Sequence, residues 1–137
     1  MRRGRSEGKI LVIDDDLDYL KVTSIILKAK NYSVVTANNP REGKEKLFTE
    51  KPDLILLDIM MDSLFDGFSL CHKIKTSKEY EKFKDIPIIF VSAVKERIGS
   101  RFTFDPREQG LREPDDYIDK PVQPDDLIAR IGKLLKK

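Results

Sequence analysis

"ILVIDDD", residues 10–16, sets four apolar residues directly against three aspartates. With Lys9 in front, the stretch "KILVID" (9–14) is the continuous apolar run of a strand buried on both faces of a parallel sheet, where neither face meets water. Three carboxylates at the end of such a strand repel one another, and desolvation raises the cost of ionising each. A helix cap can use one of them. The others need something to hold them, and the rest of the chain has to supply it.

Outward from this strand, apolar segments of strand length alternate with segments of helical spacing. Residues 17–29 place Leu17, Leu20, Ser24 and Leu27 on one helical face, and Asn31 follows as a left-handed terminator. "SVVTA" (33–37) is a β-branched second strand; Asn39, Pro40 and Glu42 then give an N-cap, a proline at the first helical position and a capping-box acid. "LILLD" (54–58) is the third strand, and Gly67 precedes a third helix through Phe68, Cys71 and Ile74. "PIIFVSA" (87–93) makes the fourth strand and "DYID" (116–119) a short fifth ahead of Lys120-Pro121. The last helix opens at Pro124, with Asp125 and Asp126 where the helix dipole favours acids, and carries the stripe Leu127, Ile128, Ile131, Leu134, Leu135. The alternation predicts an α/β fold, a doubly wound five-stranded parallel sheet with helices on both faces.

Composition narrows the remaining classes. A chain of 137 residues with 39% hydrophobic content suits one domain over 1–137, preceded by a basic tail over 1–8. Lys plus Arg is 26 against 24 acids, a net +2, so no overall field argues for nucleic acid or an anionic membrane; the basic clusters at the two ends read as solvated tails. The longest apolar runs are about six residues, far below the ~20 of a bilayer span, and no secretory signal follows the basic start. Cys71 is the single cysteine, which excludes an internal disulfide and fits a reducing cytoplasm; His72 beside it is the single histidine, so zinc is not expected. Cys71 reads as a small core residue on a helix.

In a doubly wound sheet, function sits at the carboxyl ends of the strands. Strand one ends in Asp14-Asp15, strand three in Asp58, strand four in Ser92-Ala93, and strand five runs into Lys120. Three carboxylates, a hydroxyl and an ammonium therefore converge on one edge. With no histidine at any of these ends, adjacent acids would only suppress each other's ionisation, so this is no general acid–base pair. A hard divalent cation resolves the conflict, because Mg²⁺ takes oxygen ligands and keeps waters for the rest of its octahedron. At least two of the first aspartates then share a metal with Asp58. Asp16 and Asp18 read as acids of a helix cap and first turn.

The segments "ILVIDD", "LILLDIMM", "IIFVSA" and "YIDKP" resemble, in order and spacing, the marks of the receiver domain of two-component response regulators. The resemblance runs from about Lys9 to Leu135 and implies a flavodoxin-like strand order 2-1-3-4-5. It makes Asp58 the phosphoacceptor, a carboxylate nucleophile. Asp15 would bind Mg²⁺ directly, Asp14 through a water or hydrogen bond, and Met60 through its backbone carbonyl. Ser92 would hydrogen-bond a phosphoryl oxygen, Lys120 would pair with Asp58 and then with the phosphoryl group, and Tyr117 matches the aromatic switch position that works with Ser92. The implied function is a phosphorylation-dependent switch fed by a histidine kinase or phosphotransfer protein and read by an unnamed downstream protein. No external substrate is implied, only self-phosphorylation and autodephosphorylation. A receiver-fold adaptor that works without phosphorylation is the alternative.

Two stretches depart from the family pattern. After Asp58 the chain reads "DIMMDSLFDGF", with Asp62 in place of the expected proline and Asp66-Gly67 one residue late. Between Ser92 and Lys120 the connection is longer than usual, broken by Gly99, Pro106, Gly110 and Pro114, and lacks the apolar stripe of a fourth helix. The expectation is a shortened or irregular fourth helix followed by an insertion over 99–115 carrying Phe102 and Phe104. A homodimer through the face of fourth helix, fifth strand and last helix is a further assembly the resemblance implies, and this insertion alters that face.

Overall fold

The computed structural model of the chain describes residues 7–59, 65–93, 112 and 114–135. Five strands, β1 (Lys9–Ile13), β2 (Ser33–Ala37), β3 (Leu54–Asp58), β4 (Ile88–Ala93) and β5 (Asp116–Lys120), form one parallel sheet in the order β2-β1-β3-β4-β5. The expected order 2-1-3-4-5 is the one found. Four α-helices connect or flank them among the described residues: α1 (Leu17–Ala29), α2 (Pro40–Glu50), α3 (Phe65–Thr76) and α4 (Pro124–Leu135). A short 3₁₀ segment, Lys78–Phe83, follows α3.

The period of two along each strand divides the interior. Ile10 and Val12 of β1 face one way with Leu54, Leu56, Ile89, Val91 and Ile118, against Leu20 and Leu27 of α1 and Leu127 and Ile131 of α4. Leu11 and Ile13 face the other way with Ile55, Leu57 and Phe90, against Leu47 of α2 and Phe68, Cys71 and Ile74 of α3. Every residue of β3 is buried, as its central place demands. Each apolar side chain so removed from water contributes about 1.5–3 kcal/mol.

The local signals behave as their chemistry requires. Asp16 caps α1 by accepting from the Tyr19 N–H at 3.1 Å, and Asn31 ends that turn at φ 69°. Asn39 accepts from the Glu42 N–H at 2.8 Å, while the Glu42 carboxylate reaches back to the Asn38 N–H, also at 2.8 Å. α4 is fastened to β5 by Arg130, whose guanidinium donates to Asp116 Oδ1 at 2.8 Å, to the Tyr117 carbonyl at 3.0 Å and to Asp126 Oδ1 at 2.9 Å.

Some boundaries and faces differ from the sequence reading. Leu17 is not on the buried face of α1; it is 64% exposed, and Leu20, Thr23 and Leu27 face the core. Leu17 sits roughly 80° round the helix from Leu27, at the rim of the apolar arc. Gly67 lies inside α3 rather than before it, because a Cβ there would come within 2.4 Å of the Ile59 Cα and 2.9 Å of the Asp58 carbonyl. Only glycine lets the first turn of α3 close onto the end of β3. β4 begins at Ile88, one residue after Pro87, and β5 runs on through Lys120. The 3₁₀ segment was not anticipated; it buries Tyr80 and Phe83, whose rings stand 5.5 and 5.0 Å from that of Phe48.

Residues 1–6 of the basic tail, Met60, Asp62, the expected fourth helix and the insertion with Phe102 and Phe104 lie outside the described residues, apart from the end of the insertion. That end is tied back to the fold: the Arg112 N–H donates to His72 Nδ1 at 3.2 Å, and Asp115 accepts from the Ile88 N–H at 2.8 Å and from Lys75 at 3.1 Å. Among the described residues no helix is long and apolar enough to cross a membrane.

Candidate functional site

Parallel register brings the carboxyl ends of the strands level. Ile13 pairs with Leu57, Asp58 with Val91, Ser92 with Asp119 and Ala93 with Lys120. The residue after β1, Asp14, continues the ladder by donating its N–H to the Ala37 carbonyl at 3.0 Å. Asp14, Asp15, Asp58, Ser92 and Lys120 therefore share the carboxyl edge of the sheet. Asp14, Asp58 and Ser92 are buried polar groups there, at 0, 5 and 4% exposure, while Asp15 faces solvent.

One carboxylate oxygen from each of Asp14, Asp15 and Asp58 lies within 4.8 Å of the others. Asp14 Oδ1 accepts the Asp16 N–H at 2.9 Å. Its Oδ2 is cut off from solvent and has no aligned hydrogen bond, although the Lys120 ammonium stands 3.0 Å away as an ion-pair partner. Burial pushes the Asp14 carboxyl above its usual range, and the Asp15 charge adds to this, against the Asp16 N–H and Lys120. Lys120 ends up higher than an ordinary lysine: burial lowers it, but its close ion pair with Asp14 and the charges of Asp58 and Asp16 outweigh that. A cluster built of oxygen donors, with one buried oxygen unaligned to any donor, fits a hard divalent cation.

Tyr117, expected at a switch position, is partly buried, and its ring meets Phe90 edge-on at 5.6 Å and 88°. Met60 falls outside the described residues. Asp16 is occupied as the cap of α1, and Asp18 lies in its first turn, as read from the sequence. Cys71 is buried and its thiol is pushed up to about 12, first by desolvation.

Sequence reasoning passed over Tyr19. Its ring lies under the Lys120 ammonium, 4.5 Å from Nζ to the ring centroid. Burial holds its phenol well above the ordinary range, the charges of Asp14 and Asp58 adding to the effect and the poorly aligned Thr23 hydroxyl partly opposing it. No local signal marked it, because the lysine it meets lies at the other end of the chain.

A sheet of this order with such an edge defines a class, and the comparisons agree with it. The family described as the response regulator receiver domain matches residues 10–132, and the chain belongs to that family, which serves two-component signalling. The chain is 35% identical over 133 residues to the probable transcriptional regulator ycf27 of Guillardia theta, covering 96% of this chain and 47% of that one. It is 35% identical over 130 residues to the alkaline phosphatase synthesis transcriptional regulatory protein PhoP of Bacillus subtilis, covering 94% and 48%. The chain thus spans about half the length of these curated relatives. Among solved structures, a two-component response regulator from Clostridium difficile is 30% identical with a TM-score of 0.75, covering 96% of this chain and 98% of that one. The CheY-like receiver domain protein of Methanospirillum hungatei is 30% identical with a TM-score of 0.73, covering 96% of both chains.

Proposed function

We propose that this receiver domain is a Mg²⁺-dependent phosphorylation switch with Asp58 as its phosphoacceptor. The observation that carries the reading is the approach of Asp14, Asp15 and Asp58 to within 4.8 Å on the edge that also holds Ser92 and Lys120. The Asp58 carboxylate attacks phosphorus in line; an O–P bond forms, the bond to the donor's imidazole nitrogen breaks, and the leaving imidazole keeps the electron pair and takes a proton. Lys120 neutralises an equatorial phosphoryl oxygen and Ser92 donates a hydrogen bond to another. Asp14, Asp15, Asp58 and the Met60 carbonyl would hold Mg²⁺, which would supply the positive charge that lets a carboxylate approach an anionic phosphoryl group. As Ser92 and Lys120 follow the new charge inward, Tyr117 moves into the space Ser92 leaves, and the partner surface changes.

The donor is a histidine kinase or phosphotransfer protein. An apolar patch on α1 supports a protein donor: Leu17, Val22 and Ile25 are 64, 54 and 63% exposed on the helix that starts beside Asp15. Relatives named as transcriptional regulators support a downstream effector, and the small net charge of +2 supports no contact with nucleic acid by this domain. One sheet with both faces covered supports a single domain over 1–137, and the buried free thiol of Cys71 suits a reducing cytoplasm.

The test is incubation with Mg²⁺ and acetyl phosphate followed by intact-mass measurement, with Asp58→Asn as control. A Mg²⁺-dependent gain of one phosphoryl group, absent in Asp58→Asn, is the expected result. No adduct on the folded protein with either acetyl phosphate or a kinase would favour the phosphorylation-independent adaptor.

A further inference from the structure

Lys120 stands between two partners in the resting site. Its Nζ is 3.0 Å from Asp14 Oδ2 and 4.5 Å above the centre of the Tyr19 ring. Both partners belong to the N-terminal part of the chain, Asp14 just after β1 and Tyr19 in the first turn of α1, whereas Lys120 ends β5. A cation over an aromatic face is attracted by the ring quadrupole, and the attraction grows when water is excluded. Here the Lys120 side chain is 22% exposed and the Asp14 carboxylate 1%. The ion pair is thus largely screened from water on the Asp14 side.

We infer that Tyr19 is a positioning residue: its ring holds the Lys120 ammonium on Asp14, so that the lysine acts as a resident counterion which a divalent cation must displace. The inference rests on the reading of Asp14, Asp15 and Asp58 as a cation site. Asp14 Oδ2 is the buried oxygen for which the two positive groups compete. A divalent cation repels an ammonium 3 Å from its own ligand, so occupation of the site requires Lys120 to retreat from Asp14. Whatever stabilises Lys120 on Asp14 weakens cation binding by the same factor. Tyr19 thereby tunes the site without contacting the cation. The ring face does this work and the hydroxyl does not, so phenylalanine should serve as well as tyrosine.

Two readouts separate this role from a packing role. In metal-free protein, the ε-methylene protons of Lys120 lie over an aromatic face and should resonate upfield of the other lysines. That shift should persist in Tyr19→Phe, vanish in Tyr19→Leu, and shrink when Mg²⁺ is added to the native chain. Mg²⁺ titrations followed by NMR should show binding about three- to fivefold tighter in Tyr19→Leu and within twofold of native in Tyr19→Phe, the range expected from one partly desolvated cation–π contact. Unchanged or weaker binding in a folded Tyr19→Leu overturns the inference. So does the absence of an upfield Lys120 signal in the native protein, which needs no variant and covers the case in which Tyr19→Leu fails to fold. If the native chain binds no Mg²⁺ at all, the cation-site reading and this inference fall together. Binding that ignores the ring removes the inference alone.

Discussion

Asp14 carries opposing demands on one carboxylate. It has no exposed surface, one oxygen holds the Asp16 N–H, and the other faces Lys120. Its carboxyl is nevertheless raised above 3.8, because burial outweighs those partners. A raised folded value means that the fold prefers the neutral acid. The stability linked to this group is present below the unfolded value of 3.8 and is lost as pH rises through the higher folded one. At pH 7, therefore, Asp14→Asn should raise the stability of the metal-free protein. With Mg²⁺ present the order should reverse, since the native chain gains binding energy that the variant loses. Denaturant titrations with and without Mg²⁺ measure both; a variant less stable in metal-free buffer would mean that the ion pair with Lys120 outweighs the burial of Asp14. Asp14, Asp58 and Ser92 were legible because each ends a buried apolar run, and Lys120 because it ends the last short strand; a parallel sheet brings such positions to one edge. Tyr19 was not, because its meaning depends on a lysine from the far end of the chain, and nothing in the spacing of α1 announces that meeting.

Elements were legible where one strong local signal sets their ends. Asn39-Pro40 starts α2 where the sequence placed it, and the β-branched run 33–37 is β2 to the residue. Gly67 was misplaced because glycine is a breaker by propensity, whereas here tertiary packing selects it. A methyl group there meets backbone at 2.4 Å, and backbone cannot swing aside as a flexible side chain would. Gly67→Ala should cost about 1–3 kcal/mol in chemical denaturation, the usual penalty of overpacking. Since the clash is with Ile59 and the Asp58 carbonyl, it should also slow labelling of Asp58 by acetyl phosphate. A variant with native stability and native labelling would show that the turn can open at no cost. The 3₁₀ segment escaped reading because Tyr80 and Phe83, three apart in a charged six-residue stretch, give too short a pattern to separate from a loop.

For the molecule as a whole, the alternation of buried strand and amphipathic helix specifies which faces are covered. It says less about which stay open. α1 buries Leu20, Thr23 and Leu27 against the sheet and leaves Val22 and Ile25 in solvent. From sequence alone those two were just further apolar residues of a helix. If this face receives the phosphoryl donor, Ile25→Glu should leave labelling by acetyl phosphate unchanged and slow transfer from a histidine kinase at least tenfold, the loss of ~1.4 kcal/mol or more at a docking surface. Equal slowing with both donors would point to damage in the site itself.

Arg130 has a mechanical consequence. One guanidinium rivets the first residues of β5 to the middle of α4 and to that helix's own first turn. Parting strand from helix takes the donor away from two acceptors of β5 at once, Asp116 Oδ1 and the Tyr117 carbonyl. Lys120 at one end of β5 and the middle of α4 are thus mechanically linked through one side chain near the other end of the strand.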